Sequence, residues 1–327
     1  MTTVHTGTRS ASSKGVPFKR LKTAVAGYEL RDFAASHFGD GLLSVEPRNA
    51  TMTDLTVGPG SIFDFYRVLY MPYSDTVLDG FVVREVVAND LERGFSSLKV
   101  ARNGLFEDVT AVSRAAGSTD LPGGFVTSDA AASNIVYRRC DAQGFHQVVQ
   151  PGAYVNGDGF ADERSCTGMV YEDCVSTDNG DGGLDTKSTD VTVNGFVAAR
   201  NGRNGRFWAS GTVTDFTSVD PEKCHLWFGG GDQLGSYTLI RPEFIGGSDK
   251  PHLQIDAGNS AAQITIVDPQ LPDGEQLRVV QNDTGRLVHV QVIHTVEPAA
   301  APLRTLPVSV TVDGVTYAGD LTEQASS

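Results

Sequence analysis

The chain has 327 residues, of which 40% are hydrophobic, 20% are charged and 36 are glycine, and its formal net charge is −14. This length is enough for one large domain or two ordinary ones, and the acidic balance argues against a nucleic-acid partner, which normally meets a basic face. No apolar run is long enough to cross a membrane, and four cysteines are too few for a disulfide scaffold.

The N-terminal segment, residues 1–41, predicts an arm followed by a capping helix. Its first residues, "MTTVHTGTRSASSKG", contain no apolar stretch typical of a signal peptide. The compartment therefore stays open: secreted or periplasmic if a leader has been removed, and cytoplasmic otherwise. The stretch "LKTAVAGYELRDFAASHF", from Leu21 onward, spaces its apolar residues as in an amphipathic helix, and we expect this helix to cap a repeat domain.

A six-residue strand pattern recurs between residues 42 and 294. It reads apolar, two mostly polar, apolar, any residue, then small or apolar, and its copies start 20 to 34 residues apart. The copies are MTDLTV, LDGFVV, FEDVTA, YRRCDA, YEDCVS, VNGFVA, VTDFTS, LIRPEF and IVDPQL. A second short strand precedes most of them. Because such a unit cannot bury its apolar face alone, we predict an all-β, right-handed parallel β-helix of about nine coils.

An antiparallel β-sandwich also has many short strands, but it would not require the same Asn-Gly-Asp-Gly turn at coil spacing. In a β-helix the turn residues Asn156, Asn179 and Asn201 can stack as an internal ladder. One interior column is expected to contain Leu55, Phe81, Val109, Cys140, Cys174, Phe196 and Phe216.

The C-terminal segment, residues 295–327, predicts a linker and a cap. Pro-Ala-Ala-Ala-Pro at 298–302 is the linker, and "VSVTVDGVTYAGDL" contains a Val-Asp-Gly-Val turn that predicts a closing β-hairpin.

The candidate site lies around two Asn-Gly-Asp-Gly turns, at 156–159 and 179–182. Strand alternation after the second turn points Leu184 inward and Asp185 and Lys187 outward. Aligning Leu184 with Phe160 and Phe207 then predicts a polar outward strip over several coils. That strip contains Asp158, Glu163, Asp181, Asp185, Lys187, Arg206, Trp208, His225 and Trp227.

This stretch resembles the family-nine pectate lyases, which are calcium-dependent, right-handed parallel β-helix enzymes. The shared pattern, over residues 154–212, is Asp-Gly-Phe-Ala from Asp158 and then an Asp-Gly turn with a following aspartate at Asp181 and Asp185. The resemblance implies that Asp158, Asp181 and Asp185 bind Ca²⁺, although Gly182 stands where the family has a further aspartate.

The family's catalytic lysine corresponds to Trp208 in this chain, and an indole cannot accept a proton. We therefore expect Lys187 or Arg206 to supply the catalytic cationic group, and Lys187 would need a lowered pKa to act as a base. Glu163 is a further candidate for acid–base work.

The sequence thus predicts a carbohydrate-active enzyme that acts on an acidic, uronate-containing polysaccharide, by preference a lyase using metal-assisted β-elimination. Lys187, Arg206 and Glu163 are the expected catalytic residues, and Trp208, Trp227 and His225 the expected substrate contacts. The partner is a polysaccharide or oligosaccharide, with no nucleic acid or membrane, and the chain is a monomer or small homo-oligomer.

Three alternatives stay open at this point. A glycoside hydrolase could use Asp185 with Asp158 or Glu163. A C5-epimerase could use the same proton abstraction. A non-catalytic glycan-binding β-helix could use the two tryptophans as its platform, and the aspartates would then be ordinary turn residues.

Overall fold

The computed structural model is a parallel β-helix, and its described residues contain no α-helix. It describes residues 3–6, 18–128, 131–150, 152–164, 166–230, 234–256, 262–281 and 288–295, and the backbone of 305–312, 315–322 and 324–325. Within these ranges no helix long and apolar enough to span a membrane occurs.

Three ladders of parallel strands form the walls of the solenoid. Ladder A carries the candidate site on its outer face. Its strands are β2 (Lys19–Leu21), β4 (Phe33–Val45), β7 (Gly60–Tyr70), β9 (Val82–Leu98), β11 (Gly123–Thr127), β14 (Asp158–Asp162), β17 (Gly182–Thr186), β20 (Arg203–Phe207), β23 (Cys224–Gly229), β26 (Leu253–Asp256) and β28 (Val279–Gln281). From β4 to β28 these are ten rungs, close to the nine coils predicted.

Ladder B follows ladder A in each coil. Its strands are β5 (Ala50–Thr53), β8 (Thr76–Asp79), β10 (Val100–Ser113), β12 (Ser133–Arg138), β15 (Val170–Glu172), β18 (Val191–Asn194), β21 (Gly211–Thr214), β24 (Tyr237–Ile240), β27 (Gln263–Val267), β29 (His289–His294) and β32 (Gln324–Ala325). The short strands β3 (Glu29–Leu30) and β6 (Thr56–Val57) join it through β9 and β10.

Ladder C closes each coil. It begins with β1 (Thr3–Thr6) and the first parts of the long strands β4, β7 and β9, and continues through the second part of β10. It ends with β13 (Asp141–Gln143), β16 (Val175–Thr177), β19 (Val197–Ala199), β22 (Thr217–Val219) and β25 (Glu243–Ile245).

A single residue in the left-handed region turns the corner between ladders B and C in successive coils. From β10 onward these residues are Asp108, Arg139, Asp173, Gly195, Asp215, Arg241 and Asp268. Each is the third position of the repeated six-residue pattern, so the repeat marks this corner. Asp and Gly tolerate a positive φ, and the two corner arginines each pair with the corner aspartate one coil earlier, as in Arg139 Nε to Asp108 Oδ1 at 2.7 Å.

The predicted interior column is confirmed from Val109 onward and wrong for its first two members. Cys140 and Cys174 are buried free thiols within it. Leu55 and Phe81 are also buried, but the Leu105 N–H bonds to the carbonyl of Phe81, which places Phe81 beside Gly104. In the first coils the same sequence pattern falls one corner earlier, where its third positions Asp54 and Gly80 have φ values of 57° and 67°.

The asparagine ladder is confirmed for two of its three members. The Asn179 Nδ2 donates to Asn201 Oδ1 at 2.9 Å, and Asn201 Nδ2 donates to Asn204 Oδ1 at 3.0 Å. Asn156 instead donates to the carbonyl of Pro122, outside the stack. These amides satisfy the backbone groups at the corner that leads into ladder A.

The predicted N-terminal helix is wrong, because Leu21 ends β2 and residues 29–30 and 33–45 form β3 and β4. Phe33 and Ala35 are buried in alternation, which is the strand period rather than the helix period. Gly27 and Asp32 have φ values of 73° and 50°, which a helix cannot contain. These strands pair with the strands of the next coil, so the backbone edge of that coil is hydrogen-bonded. A capping helix would leave that edge to solvent.

The C-terminal hairpin is confirmed. β30 (Thr305–Val312) pairs antiparallel with β31 (Val315–Thr322), and β32 then adds to β29 at the end of ladder B. The turn residues 313–314 and the predicted linker at 298–302 lie outside the described residues.

Removing one rung of the asparagine ladder should destabilise the solenoid. Asn201→Ala leaves the amide and backbone N–H of Asn179 without their acceptor in a fully buried site. We expect the free energy of unfolding to fall by about 2 to 4 kcal/mol. Gln263→Ala, which removes an exposed amide, should change it by about 0.5 kcal/mol or less. Urea denaturation measures both, and equal values for the two variants would contradict the buried ladder.

Candidate functional site

The outer face of ladder A brings five predicted site residues of three coils together. Asp185 on β17 lies directly between Ala161 on β14 and Arg206 on β20, and Trp227 on β23 follows Arg206 in the same outward column. Lys187 and Trp208 follow β17 and β20, one outward position further along. Because neighbouring parallel strands lie about 4.8 Å apart, polar side chains in these columns contact each other directly.

The predicted alignment between β17 and β20 is wrong by two residues. Leu184 pairs with Gly205, and Phe207 lies opposite Thr186, so Arg206 rather than Trp208 is the neighbour of Asp185. A Cβ at Gly205 would meet the ring of Phe207 at 2.8 Å and Leu226 at 2.9 Å, because these side chains already fill the space over the glycine. A sequence alignment that matches only large apolar residues cannot detect that an inward position is a glycine, with its space filled by the side chain of a nearby residue. The expected alignment of Phe160 with Leu184 is confirmed.

Asp185 is the centre of the cluster. Its Oδ2 accepts from Lys187 Nζ and Arg206 Nη1, both at 3.1 Å, and its Oδ1 accepts from Trp208 Nε1 at 2.6 Å. The side chain is only 5% exposed. Three donors, two of them cationic, therefore hold this carboxylate in one orientation.

Asp181 is fully buried beneath it, at the turn that begins β17. Its carboxylate accepts from Arg206 Nη1 at 2.7 Å, from Arg203 Nη1 at 3.0 Å, and from the hydroxyl of Tyr154. Arg206 thus bridges Asp181 and Asp185 with one guanidinium nitrogen. The two carboxylates are held together by a cation that the chain itself supplies.

Asp158 lies one coil earlier and has fewer partners. Its Oδ1 accepts from the backbone N–H of Gly182 at 2.7 Å. Burial, with the carboxylates of Asp185 and Asp181 nearby, raises the pKa of Asp158 to about 8. At neutral pH it is therefore largely a protonated acid, next to two carboxylates that pair with arginine. A Cβ at Gly182 would meet Asp158 Oδ1 at 2.7 Å, so the glycine permits this approach.

Lys187 bridges two coils. Its ammonium donates to Asp185 and to Glu163 Oε1, each at 3.1 Å, while Glu163 is 46% exposed on the outer face. Burial favours the neutral amine, but the two carboxylates outweigh it and raise the pKa of Lys187. A lysine base requires the opposite shift, so in this arrangement Lys187 acts as a cation and not as a proton acceptor.

The two tryptophans pack against each other, with ring centroids 4.8 Å apart. Trp208 is half-buried, and the cationic groups of Lys187 and Arg206 lie 5.2 and 5.5 Å from its ring. Trp227 is only 8% exposed, and its Nε1 donates to Asp256. Of the two tryptophans predicted to be exposed for stacking on sugar rings, only Trp208 is partly exposed.

His225 does not join the site. Its ring is fully buried in the solenoid interior, where Nδ1 lies 2.8 Å from Ser218 Oγ and the ring packs against Phe244 and His252. Burial lowers the pKa of His225 to about 4, so the imidazole is neutral. It extends the interior polar stack and cannot contact a ligand on the outer face.

Asp162 is an important residue that sequence reasoning missed. It is fully buried under β17 and accepts from Tyr171, from Thr186 and from the backbone N–H groups of Lys187 and Ser188, at 2.8 to 3.0 Å. Burial raises its pKa to about 6 against these hydrogen bonds. It positions the strand end that carries Lys187. The only signal was a carboxylate at an inward strand position, where an apolar residue is expected.

The implied calcium does not fit this donor set. Asp181 and Asp185 have their oxygens occupied by Arg203, Arg206, Lys187 and Trp208, and Asp158 is largely protonated. Calcium prefers several ionised oxygen ligands that are free to converge. Within the part of the chain that the structure describes, no group of three or more acidic, histidine or cysteine side chains converges as a metal site.

Comparison with known proteins identifies no family for this chain. No protein-family model matches the chain, and no curated protein matches it. The resemblance to the family-nine pectate lyases therefore stays a prediction.

The raised pKa of Asp158 predicts a pH-dependent stability. The folded chain keeps a proton on this carboxyl up to pH about 8, whereas the unfolded chain loses it near 3.8, so stability falls as the pH rises between these values. Below 6.5 the buried His225 and His252 act in the opposite direction, since unfolding lets them take up protons. The clear window is therefore pH 6.5 to 8.

In that window the free energy of unfolding should decrease by about 1 kcal/mol per pH unit, approaching the 1.4 kcal/mol of one full proton. Asp158→Asn should remove this slope, because the amide does not titrate. Asp215→Asn, at an exposed corner, should keep it. Urea denaturation at several pH values measures the slope, and an unchanged slope in Asp158→Asn would place the proton elsewhere.

The contacts of Arg206 also predict a response to calcium. Wild type should show little calcium-dependent stabilisation, since cations of the chain already neutralise Asp181 and Asp185. Arg206→Ala removes one of these cations and should bind and be stabilised by calcium more strongly. Thermal unfolding and titration calorimetry measure this. A strong calcium response in wild type that is lost in Asp185→Ala would instead restore the metal site that the resemblance implies.

Proposed function

We propose that the chain is a carbohydrate-active enzyme that acts on an acidic, uronate-containing polysaccharide lying along the outer face of ladder A. The observation that carries the proposal is the cluster of Lys187 and Arg206 with Asp185, in outward columns beside a cavity of about 240 Å³. Asp158 and Glu163 line that cavity, and Lys187 contacts the cavity-lining Glu163 at 3.1 Å.

The charge balance of the cluster supports an anionic ligand. The chain as a whole is acidic, which repels a polyanion at long range. At the cluster, however, the cations Lys187, Arg203 and Arg206 balance the carboxylates of Asp181, Asp185 and Glu163, and Asp158 is largely neutral. A uronate carboxylate can therefore approach without facing a net negative site. The ammonium of Lys187 can then pair with the uronate carboxylate in place of Glu163.

The chemistry we favour is β-elimination. Lys187 and Arg206 stabilise the negative charge that develops on the uronate carboxylate as the C5 proton leaves, and thereby acidify that proton. Glu163, exposed and next to Lys187, accepts the proton. The C5 electron pair forms the C4–C5 double bond, the bond from C4 to the glycosidic oxygen breaks, and protonated Asp158 supplies the proton for that leaving oxygen. Lys187 thus has an electrostatic role in place of the base role expected from its position.

A glycoside hydrolase is the second candidate, and one observation favours it. The pKa of Asp158 is raised by burial and by the nearby carboxylate of Asp185, and a carboxylic acid kept protonated close to a second carboxyl group is typical of a glycosidase acid. Asp185 is less suited to attack, because three donors hold its oxygens. A purely glycan-binding role has less support, because Trp227 is buried and offers no stacking surface.

The test is incubation with a panel of acidic polysaccharides, following absorbance of unsaturated uronates in the ultraviolet together with product size. We expect absorbing, shortened products from wild type. Lys187→Ala and Glu163→Gln should lower kcat by about 100-fold or more, the usual range for a lost acid–base or charge-stabilising group. Arg241→Ala, which breaks an exposed corner ion pair, is the matched control and should keep wild-type kcat.

Each outcome of this assay points to one chemistry. Shortened products without ultraviolet absorbance would favour the hydrolase. Binding without turnover would favour the glycan-binding alternative. Full activity of Lys187→Ala on the best substrate would contradict the proposed role of the cluster.

A further inference from the structure

The cavity beside the cluster extends away from it across several coils of ladder A. Its lining runs from Asp158 and Glu163 at one end to Arg67 and Arg93 at the other. The two arginines have no part in the chemistry proposed above. They mark a second cationic position on the same face.

Small side chains produce this hollow. The outward column that contains Asp185 continues backwards through Ala161, Val126, Ser97 and Tyr70, one residue per coil. Between the bulky Tyr70 and the Asp185 cluster the chain thus places three short side chains. A surface depressed over three consecutive coils is a groove parallel to the solenoid axis.

Arg67 is fixed at the far end of this groove. Its side chain is 9% exposed, and its guanidinium carbon lies 3.6 Å from the ring centroid of Tyr70 and 4.7 Å from that of Tyr66. The hydroxyl of Tyr66 donates to Asp120, which also pairs with Arg93 at 2.7 Å. The rings thus clamp the guanidinium in place before any ligand arrives.

The hydrogen bonding of Arg67 is incomplete. Its closest described carboxylate, Asp40, lies 3.7 Å from Nη2, which is longer than a hydrogen bond, and its Nε has no partner among the described residues. A buried donor without an acceptor is destabilising. An anionic ligand in the groove would supply the acceptor, and a planar guanidinium suits the two oxygens of a carboxylate.

We infer that Arg67 and the groove beside it form a second subsite, which binds the carboxylate of a uronate several units away from the one at the reacting cluster. The inference rests on the proposed function, which it deepens by setting the direction and the minimum length of the substrate. Four coil steps separate Tyr70 from Asp185, about 19 Å at ~4.8 Å per coil. An extended pyranose chain advances by roughly one coil step per unit, so the substrate runs along the solenoid axis and spans the two positions with about five units.

The test compares oligogalacturonates and oligoalginates from two to eight units long. Affinity is measured by titration calorimetry on the Glu163→Gln protein, in which turnover is suppressed. We expect affinity to rise at least tenfold between trimers and hexamers. Arg67→Ala should remove this gain and leave trimer affinity unchanged, and Arg67→Lys should restore part of it.

A second variant guards against a misfolded Arg67→Ala protein. Ser97→Trp fills the groove from a half-exposed position while Arg67 itself is kept, and should also remove the long-chain gain. Equal affinities of the Glu163→Gln protein for short and long oligomers, or retention of the gain in both folded variants, would overturn the subsite alone. Failure of the Glu163→Gln protein to bind any member of either series would contradict the proposed function itself, and the subsite with it.

Discussion

The parallel register between neighbouring coils is the constraint on which the whole molecule depends. Each coil presents one residue per outward column, and the next coil places its own residue about 4.8 Å away. Charged side chains in a column therefore interact, and like charges on successive coils would repel each other. The chain places opposite charges on successive coils instead. Asp215 pairs with Arg241 at a corner, and Asp185 pairs with Arg206 at the site.

The same register gives the site its rigidity. Asp185 and Arg206 come from different coils, yet each is fixed by the backbone ladder as well as by its hydrogen bonds. Beneath them, Asp162 ties the end of β17 to the previous coil through two backbone N–H groups. Groups held this way need little rearrangement when charge develops on a ligand, which is the main requirement for electrostatic stabilisation.

Most of the fold could be predicted from the sequence, because the repeat marks a physical feature, the left-handed corner residue. The site could be predicted in composition but only partly in geometry. Strand alternation correctly placed Asp185 and Lys187 outward. The position of Phe207 was misjudged because Gly205 leaves a space that the ring of Phe207 fills, and the buried Trp227 donates to Asp256 on β26, the next rung of ladder A. Such contacts between coils leave no periodic signal.

Gly182 links these features into one arrangement. An aspartate there, as in the pectate-lyase pattern, would collide with Asp158, whose Oδ1 lies 2.7 Å from the position of the missing Cβ. The glycine lets Asp158 approach the buried acidic pair, which favours its protonated form, and Arg206 lies 3.4 Å from the same Cβ position. Gly182 has no carboxylate, Asp158 is largely protonated and Arg206 contributes a guanidinium, and each of these lowers the negative charge at one point. The charge of the acidic pair is therefore balanced by side-chain cations of neighbouring coils.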